Sequence, residues 1–149
     1  DGSALPTFSL QSPTPGTGFT QLPPTSAGAT QATGDDCTNN VFEGDITIPD
    51  GTVLKGGEDF QKIWKIRNTG NCTWDDGFSL VYIGGSSPDL DPVNFNFTKS
   101  SDFVSAGEAV NIAINLTTPC TPGLYEGHWR MRNDHGYYFC TILSVYVDV

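Results

Sequence analysis

The sequence has few basic residues, two histidines, one methionine and no long apolar run. Seven Lys and Arg oppose 17 Asp and Glu over 149 residues, so the formal net charge is −10. A negative field of this size repels phosphate and argues against nucleic-acid binding. No window approaches the roughly 18 consecutive apolar residues of a membrane-spanning helix, so no transmembrane span is predicted. The length allows one ordinary domain with a short extension.

The beginning of the chain and its cysteines point to a secreted protein. The sequence starts at Asp1 without Met and without a basic segment ahead of an apolar stretch, which predicts that a signal sequence has been removed or that the chain has been shortened. Four Cys in a short chain favour disulfides and hence an oxidising compartment. We therefore expect an extracellular or cell-surface location.

Composition divides the chain near residue 36. Residues 1–36 are rich in Pro, Ser, Thr and Gly and contain no Lys or Arg. Such a segment cannot bury enough apolar area to fold by itself, so it is predicted to be an extended tail or linker. Residues 37–149 are predicted to form the folded domain.

Residues 37–149 alternate between apolar and polar side chains, which is typical of β-strands. Seven such runs are Phe42–Ile48, Phe60–Ile66, Phe78–Tyr82, Val93–Phe97, Val110–Leu116, Tyr125–Met131 and Phe139–Val147. Turn residues such as Pro49-Asp50-Gly51 and Asp134-His135-Gly136 separate them. The pattern predicts an all-β, seven-stranded immunoglobulin-like antiparallel β-sandwich.

Motifs in this domain resemble a known family. They are Ile46–Leu54, Phe60–Gly70 with the sequence Asn68-Thr69-Gly70, Asn71–Trp74, and Thr121–Asn133. Together they resemble the four-tryptophan, or FW, immunoglobulin-like domain of autophagy cargo receptors and of extracellular bacterial proteins, over about residues 37–149. We expect the fold to carry over but not the autophagy function, because disulfides and a mucin-like tail do not suit the cytosol.

The resemblance also implies roles for individual residues. Trp64, Trp74 and Trp129 would pack in or near the core, and Tyr146 would stand in for the missing fourth Trp. The four cysteines allow three pairings, and the residues alone do not choose between them. Bacterial relatives often carry Cys at the positions of Cys37 and Cys72, so the resemblance favours a Cys37–Cys72 disulfide, which leaves Cys120 and Cys140 as the second pair. A metal site is disfavoured, because no Cys-x-x-Cys or neighbouring His is present.

No residue pattern indicates catalysis. The two histidines, His128 and His135, have no Ser, Cys or carboxylate at a spacing typical of a nucleophile and its partner. The chain is therefore predicted to be no enzyme and to need no cofactor.

Several other residues are weaker site candidates. Asp89 and Asp91, and the pair Asp75-Asp76, have oxygens of the kind that bind calcium, but their spacing does not match the calcium-loop motif. Asn71, Asn96 and Asn115 each begin a glycosylation sequon. The aromatic rings of Tyr82, Tyr137 and Tyr138 could stack on a sugar or simply pack in the domain.

Two functions fit these features. The first is a structural subunit that forms an extracellular filament or pilus-like fibre, since an extended tail can add a strand to the sheet edge of the next copy. Its partners would be copies of itself in a head-to-tail homopolymer, with the tail anchored by Phe8, Leu10, Phe19 and Leu22. The alternative is a stalk-mounted binding module for surface carbohydrate or surface proteins.

Overall fold

Eight β-strands make up about half of the described part of the chain, residues 36–85 and 88–149, in the computed structural model. They are β1 Asn40–Asp45, β2 Thr52–Val53, β3 Asp59–Asn68, β4 Ser79–Gly84, β5 Phe95–Asn96, β6 Ala109–Thr117, β7 Leu124–Arg132 and β8 Tyr138–Asp148. Two short 3₁₀ helices lie at Pro88–Leu90 and Ser100–Asp102. In this part of the chain, no helix has the length and apolar character needed to cross a membrane.

The strands form two sheets that face each other across one core. One sheet has the order β1-β3-β6 and the other has the order β2-β8-β7-β4-β5. The predicted all-β sandwich is confirmed, but with eight strands rather than seven. The additional strand is β2, which has two residues and runs parallel to β8. A strand this short cannot show an alternating pattern in the sequence.

The expected alternation of the first strand does not hold beyond Phe42. The run Phe42–Ile48 predicts that Asp45 faces away from Phe42, but Phe42 lies opposite the buried Ile66 and Asp45 lies opposite the buried Trp64, so both are on the same face. The register of β1 against β3 shifts between Phe42 and Gly44, and β1 ends at Asp45. A bulge changes which side chains face inward, so an alternation that continues through it loses its meaning.

The core is built around three tryptophans. Trp64, Trp74 and Trp129 have no exposed surface. The rings of Trp64 on β3 and Trp129 on β7 pack with their centroids 5.5 Å apart, and each sheet contributes one ring. The Trp64 indole N–H donates to the carbonyl of Ser144 at 3.0 Å. Tyr146 is only half-buried and lies opposite Glu126 on the outer face, so it does not replace a core tryptophan.

Lys62 on β3 is buried beside the segment that follows β1. The side chain of Lys62 has no exposed surface, and its Nζ donates to Asp45 Oδ1 at 2.6 Å and to the carbonyl of Ile48 at 2.7 Å. A buried ammonium group needs such partners, because loss of hydration is costly. The ion pair therefore fixes the segment that follows β1 against β3.

The turn after β3 is held by a buried asparagine. Asn68 Nδ2 donates to the carbonyls of Cys72 and Val104, at 2.8 and 3.0 Å. Its Oδ1 accepts from the backbone N–H of Gly70 at 3.0 Å. Only Gly fits here, since a Cβ at Gly70 would overlap the carbonyl of Cys37. The Asn-Thr-Gly motif thus shapes a turn against the segment that leads into β1.

Candidate functional site

The outer face of the five-stranded sheet is carried mainly by β7 and β8. On β7 the residues that alternate with the buried Trp129 and Met131 are Leu124, Glu126, His128, Arg130 and Arg132. Arg132 lies opposite Tyr138, and Glu126 lies opposite Tyr146. Cross-strand pairs point to the same face, so arginine and tyrosine side chains are brought together there.

A bulge in β8 shapes one end of this face. Between the pairs Trp129–Leu143 and Met131–Phe139, β7 has the single residue Arg130 whereas β8 has residues 140–142. Arg130 Nε donates to the carbonyl of Cys140 at 2.8 Å, and Cys140 has a positive φ of 60°. Extra residues of this kind bend a strand locally, and Ile142 within the bulge is 52% exposed.

The turn before β8 is fixed by Asn133, which is buried. Its Oδ1 accepts from the backbone N–H groups of His135 and Tyr137, at 3.0 and 2.9 Å. Its backbone N–H donates to the carbonyl of Tyr137 at 2.9 Å. The turn thereby places Tyr137, which is 72% exposed, next to Tyr138 at the end of the sheet.

We call Arg130, Arg132, Tyr137, Tyr138 and Ile142 the Arg/Tyr patch. No carboxylate within residues 36–85 and 88–149 forms an ion pair with either arginine. On the other sheet, by contrast, Lys65 and Arg67 both pair with Glu43. The Arg67 guanidinium hydrogen-bonds to Glu43 and holds the pKa of that carboxyl below its ordinary value of 4.5. The patch therefore offers two cations that the described domain does not neutralise.

Within the described residues, the histidines and acidic candidates form no cluster of metal-ligating side chains. His128 lies 3.0 Å from Glu126, and His135 lies 3.1 Å from Asp134. Asp91 and Asp59 line an open groove of about 530 Å³. Among the described residues, no three His, Cys, Asp or Glu side chains come close enough to hold a metal ion. Calcium binding at Asp89 or Asp91 thus has no third ligand of this kind in the structure.

The cysteines match the predicted pairing in one of its two disulfides. Cys37 and Cys72 form a disulfide, whereas Cys120 and Cys140 are free thiols. Gly57, two residues before β3, donates to the carbonyl of Pro119, so Cys120 lies beside the start of β3. The Cys140 sulfur accepts from the backbone of Asn40, which pairs with the last residue of β3.

The prediction of a second disulfide, between Cys120 and Cys140, was therefore wrong for a geometric reason. β3 has ten residues, and a strand of that length spans roughly 30 Å. A disulfide needs Cα atoms within about 7 Å. Burial instead raises the pKa of the Cys140 thiol, which favours its protonated form.

The predicted glycosylation sites and tail anchors stay predictions. Asn71, Asn96 and Asn115 are all exposed, so their sequons are sterically accessible. Tyr82 is half-buried and packs on Trp129 with ring centroids 5.1 Å apart, which explains it as a packing residue. The tail anchors Phe8, Leu10, Phe19 and Leu22 lie outside the described residues.

Sequence reasoning missed both the buried ion pair and the Arg/Tyr patch. A signal for the first was present, because Lys62 falls on the same strand face as Phe60 and Trp64. The alternation also placed Arg130 and Arg132 on the outer face. That their charges have no carboxylate partner in the described domain became visible only in three dimensions.

Comparison with known proteins extends these observations. Residues 47–149 match the family model of the Ig-like domain from next to BRCA1 gene. The chain is 33% identical to protein JOKA2 of Solanum tuberosum over 112 residues and 32% identical to protein ILRUN of Danio rerio over 108 residues, in each case over 72% of its own length. It is 30% identical to Next to BRCA1 gene 1 protein of Homo sapiens over 93 residues, or 60% of the chain. The matches span only 12%, 36% and 9% of these relatives, respectively.

These relatives contradict the predicted function, partners and location. They are intracellular proteins, among them autophagy cargo receptors, from plants and animals. The extracellular filament, the head-to-tail homopolymer, the stalk-mounted module for surface carbohydrate or surface proteins and the extracellular, secreted location were therefore wrong. The cysteine count and the tail composition are therefore poorer indicators of location in this chain than the family motifs.

Three findings agree on the family of this chain. They are the motifs around Trp64, Trp74 and Trp129, the two-sheet architecture, and the match to the family model over residues 47–149. In adaptor proteins of this type the domain is a non-catalytic interaction module. The chain belongs to the family of Ig-like domains from next to BRCA1 gene, the four-tryptophan immunoglobulin-like domains.

Proposed function

We propose that this chain is a non-catalytic protein-interaction module whose Arg/Tyr patch binds an acidic segment of a partner protein. The observation that carries the proposal is the pair of arginines without carboxylate partners beside exposed tyrosines, in a chain whose net charge is −10. Tyr and Arg are enriched at protein interfaces and at the residues that dominate binding energy. An acidic segment supplies the complementary charge.

The geometry of the patch supports a preformed site. Arg130 is held by its bond to the Cys140 carbonyl, and Tyr137 by the Asn133 turn. Groups that are already positioned lose less freedom on binding. A non-catalytic role is supported by the histidines, since in the described domain neither hydrogen-bonds to a Ser, Thr or Cys side chain.

The test uses a fluorescein-labelled, glutamate-rich peptide titrated into the full chain and followed by fluorescence anisotropy. Arg132 is exposed and no described residue pairs with it, so Arg132→Glu should leave the fold intact. We expect this variant to weaken peptide binding at least about tenfold, and added salt to weaken the wild type. Binding should also shift the backbone NMR signals of Arg132 and Tyr138.

A matched control separates the patch from the overall charge of the protein. Lys99 is exposed and lies outside the patch, so Lys99→Glu changes the net charge by the same amount. We expect it to bind the peptide within about twofold of wild type, since a screened distant charge has little effect. Equal losses in the two variants, or NMR shifts confined to the three-stranded sheet, would contradict the proposal.

A further inference from the structure

The four edge strands of the two sheets are not equally protected. The five-stranded sheet ends in β2 and β5, which have two residues each. The three-stranded sheet ends in β1, which is bulged and carries the charged Glu43, and in β6. Short, bulged or charged edges resist pairing with another strand. β6 has nine residues in unbroken register with β3 and contains no charge, Pro or Gly.

The backbone of β6 presents free hydrogen-bonding groups on a regular spacing. At the two ends of the β3–β6 pair, Thr118 donates to the carbonyl of Glu58, and Asn68 donates to that of Glu108. In an antiparallel pair every second residue bonds to its neighbour, so the even-numbered residues of β6 bond to β3. The odd-numbered ones, Ala109 to Thr117, point their N–H and C=O groups away from it, and no described residue accepts or donates there.

The sequence of β6 is nearly symmetric about its centre. Asn111-Ile112-Ala113-Ile114-Asn115 reads the same in both directions, and it is flanked by apolar Val110 and Leu116. If two copies of β6 pair antiparallel about Ala113, Asn111 of one lies opposite Asn115 of the other. This register also matches odd-numbered residues with odd-numbered ones, so the free backbone groups of both copies face each other.

We propose that two copies of this chain associate through β6, antiparallel and centred on Ala113, so that two three-stranded sheets become one six-stranded sheet. Such a pairing can form about ten backbone hydrogen bonds, two for each hydrogen-bonded pair. The side chains that meet on the outer face are Ala and Asn, which bring no charge and can pair amide to amide.

This contact differs from the head-to-tail filament that the relatives contradict. It uses the same strand of both copies and therefore closes at two copies. It involves no residue of the tail. β6 lies in the three-stranded sheet, whereas the Arg/Tyr patch lies on the five-stranded sheet. The association is therefore independent of the proposed partner binding, and either one can fail without the other.

The test compares two double variants of the full chain by sedimentation equilibrium. Asn111 and Asn115 are exposed on the outer face, so both variants should fold, which thermal unfolding checks. Asn111→Glu/Asn115→Lys places opposite charges across the two-fold axis, whereas Asn111→Glu/Asn115→Glu places like charges there. We expect wild type and the Glu/Lys variant to dimerise and the Glu/Glu variant to have at least about a tenfold higher dimer dissociation constant.

Amide hydrogen exchange gives a second readout. In the dimer the amide of Ala113 should exchange more slowly as protein concentration rises, and this dependence should vanish in the Glu/Glu variant. A wild type that stays monomeric at every concentration would overturn the proposal, as would equal dissociation constants for the two variants. Growth beyond the dimer would also overturn it, because it would require a contact that does not close.

Discussion

The two edges of the three-stranded sheet, β1 and β6, are stabilised in different ways. β1 is irregular and is fastened by side chains: the Lys62–Asp45 ion pair, the cluster of Glu43 with Lys65 and Arg67, and the Cys37–Cys72 disulfide just before it. β6 is regular and is held by its backbone ladder with β3 and by the buried Ile112, Ile114 and Leu116. A bulged edge therefore depends on side-chain links, whereas a regular edge remains open to pairing.

Removing the buried lysine should break the β1 side of this comparison most strongly. Lys62→Ala leaves Asp45 and the carbonyl of Ile48 without their donor and opens a cavity beside Trp64. We expect the free energy of unfolding to fall by about 4 kcal/mol, as for other buried ion pairs that lose one member. Urea unfolding measures this loss.

The control for this prediction is the neighbouring exposed lysine. Lys65 pairs with Glu43 on the outer face of β3, at 3.6 Å. Surface ion pairs contribute about 0 to 1 kcal/mol, so Lys65→Ala should change stability by less than that. Equal destabilisation by the two substitutions would show that the Lys62–Asp45 ion pair does not fix β1.

The disulfide should have the next largest effect. Cys37 and Cys72 are 35 residues apart in the sequence, and closing a loop of this length stabilises a fold by about 3.8 kcal/mol in the chain-entropy view. Cys37→Ser/Cys72→Ser should lower the unfolding free energy by that amount. Cys120→Ser, at an exposed free thiol, is the matched control and should stay within about 0.5 kcal/mol of wild type. A wild type whose stability does not respond to a reducing agent would argue against the bond.

The smallest effect should come from acid. Because the hydrogen bond from Arg67 lowers the pKa of Glu43 in the folded state, ionised Glu43 favours folding. This contribution is complete above the ordinary value of 4.5 and is lost as pH falls through the folded-state pKa. Glu43→Gln should therefore be less stable than wild type at neutral pH and should match it in strong acid. Urea midpoints at the two pH values measure this, and a gap that does not change with pH would contradict it.

Period-two alternation predicted the strands that contain no bulged residue themselves. It located β3, β6 and β7 and placed Arg130 and Arg132 outward, because in these strands successive side chains point to opposite faces. It failed where the backbone departs from that geometry. The bulge in β1 placed Asp45 on the same face as Phe42, and β2 is too short to have a period.

Properties that depend on distant parts of the chain could not be predicted in this way. The separation of Cys120 from Cys140 follows from the length of β3, which lies between their positions in space. The burial of Lys62 depends on Asp45, which reaches it only because β1 pairs with β3. The Arg/Tyr patch could likewise not be predicted, since the sequence does not show which arginines form an ion pair with a carboxylate.

The hydrogen bond from the Trp64 indole to the Ser144 carbonyl joins the two sheets directly. Apolar contacts between sheets have no preferred direction, so they hold the layers together but resist lateral displacement weakly. A hydrogen bond weakens steeply when its length or angle changes. An indole at this position therefore does what a phenyl ring cannot: it fixes how far one sheet can slide over the other.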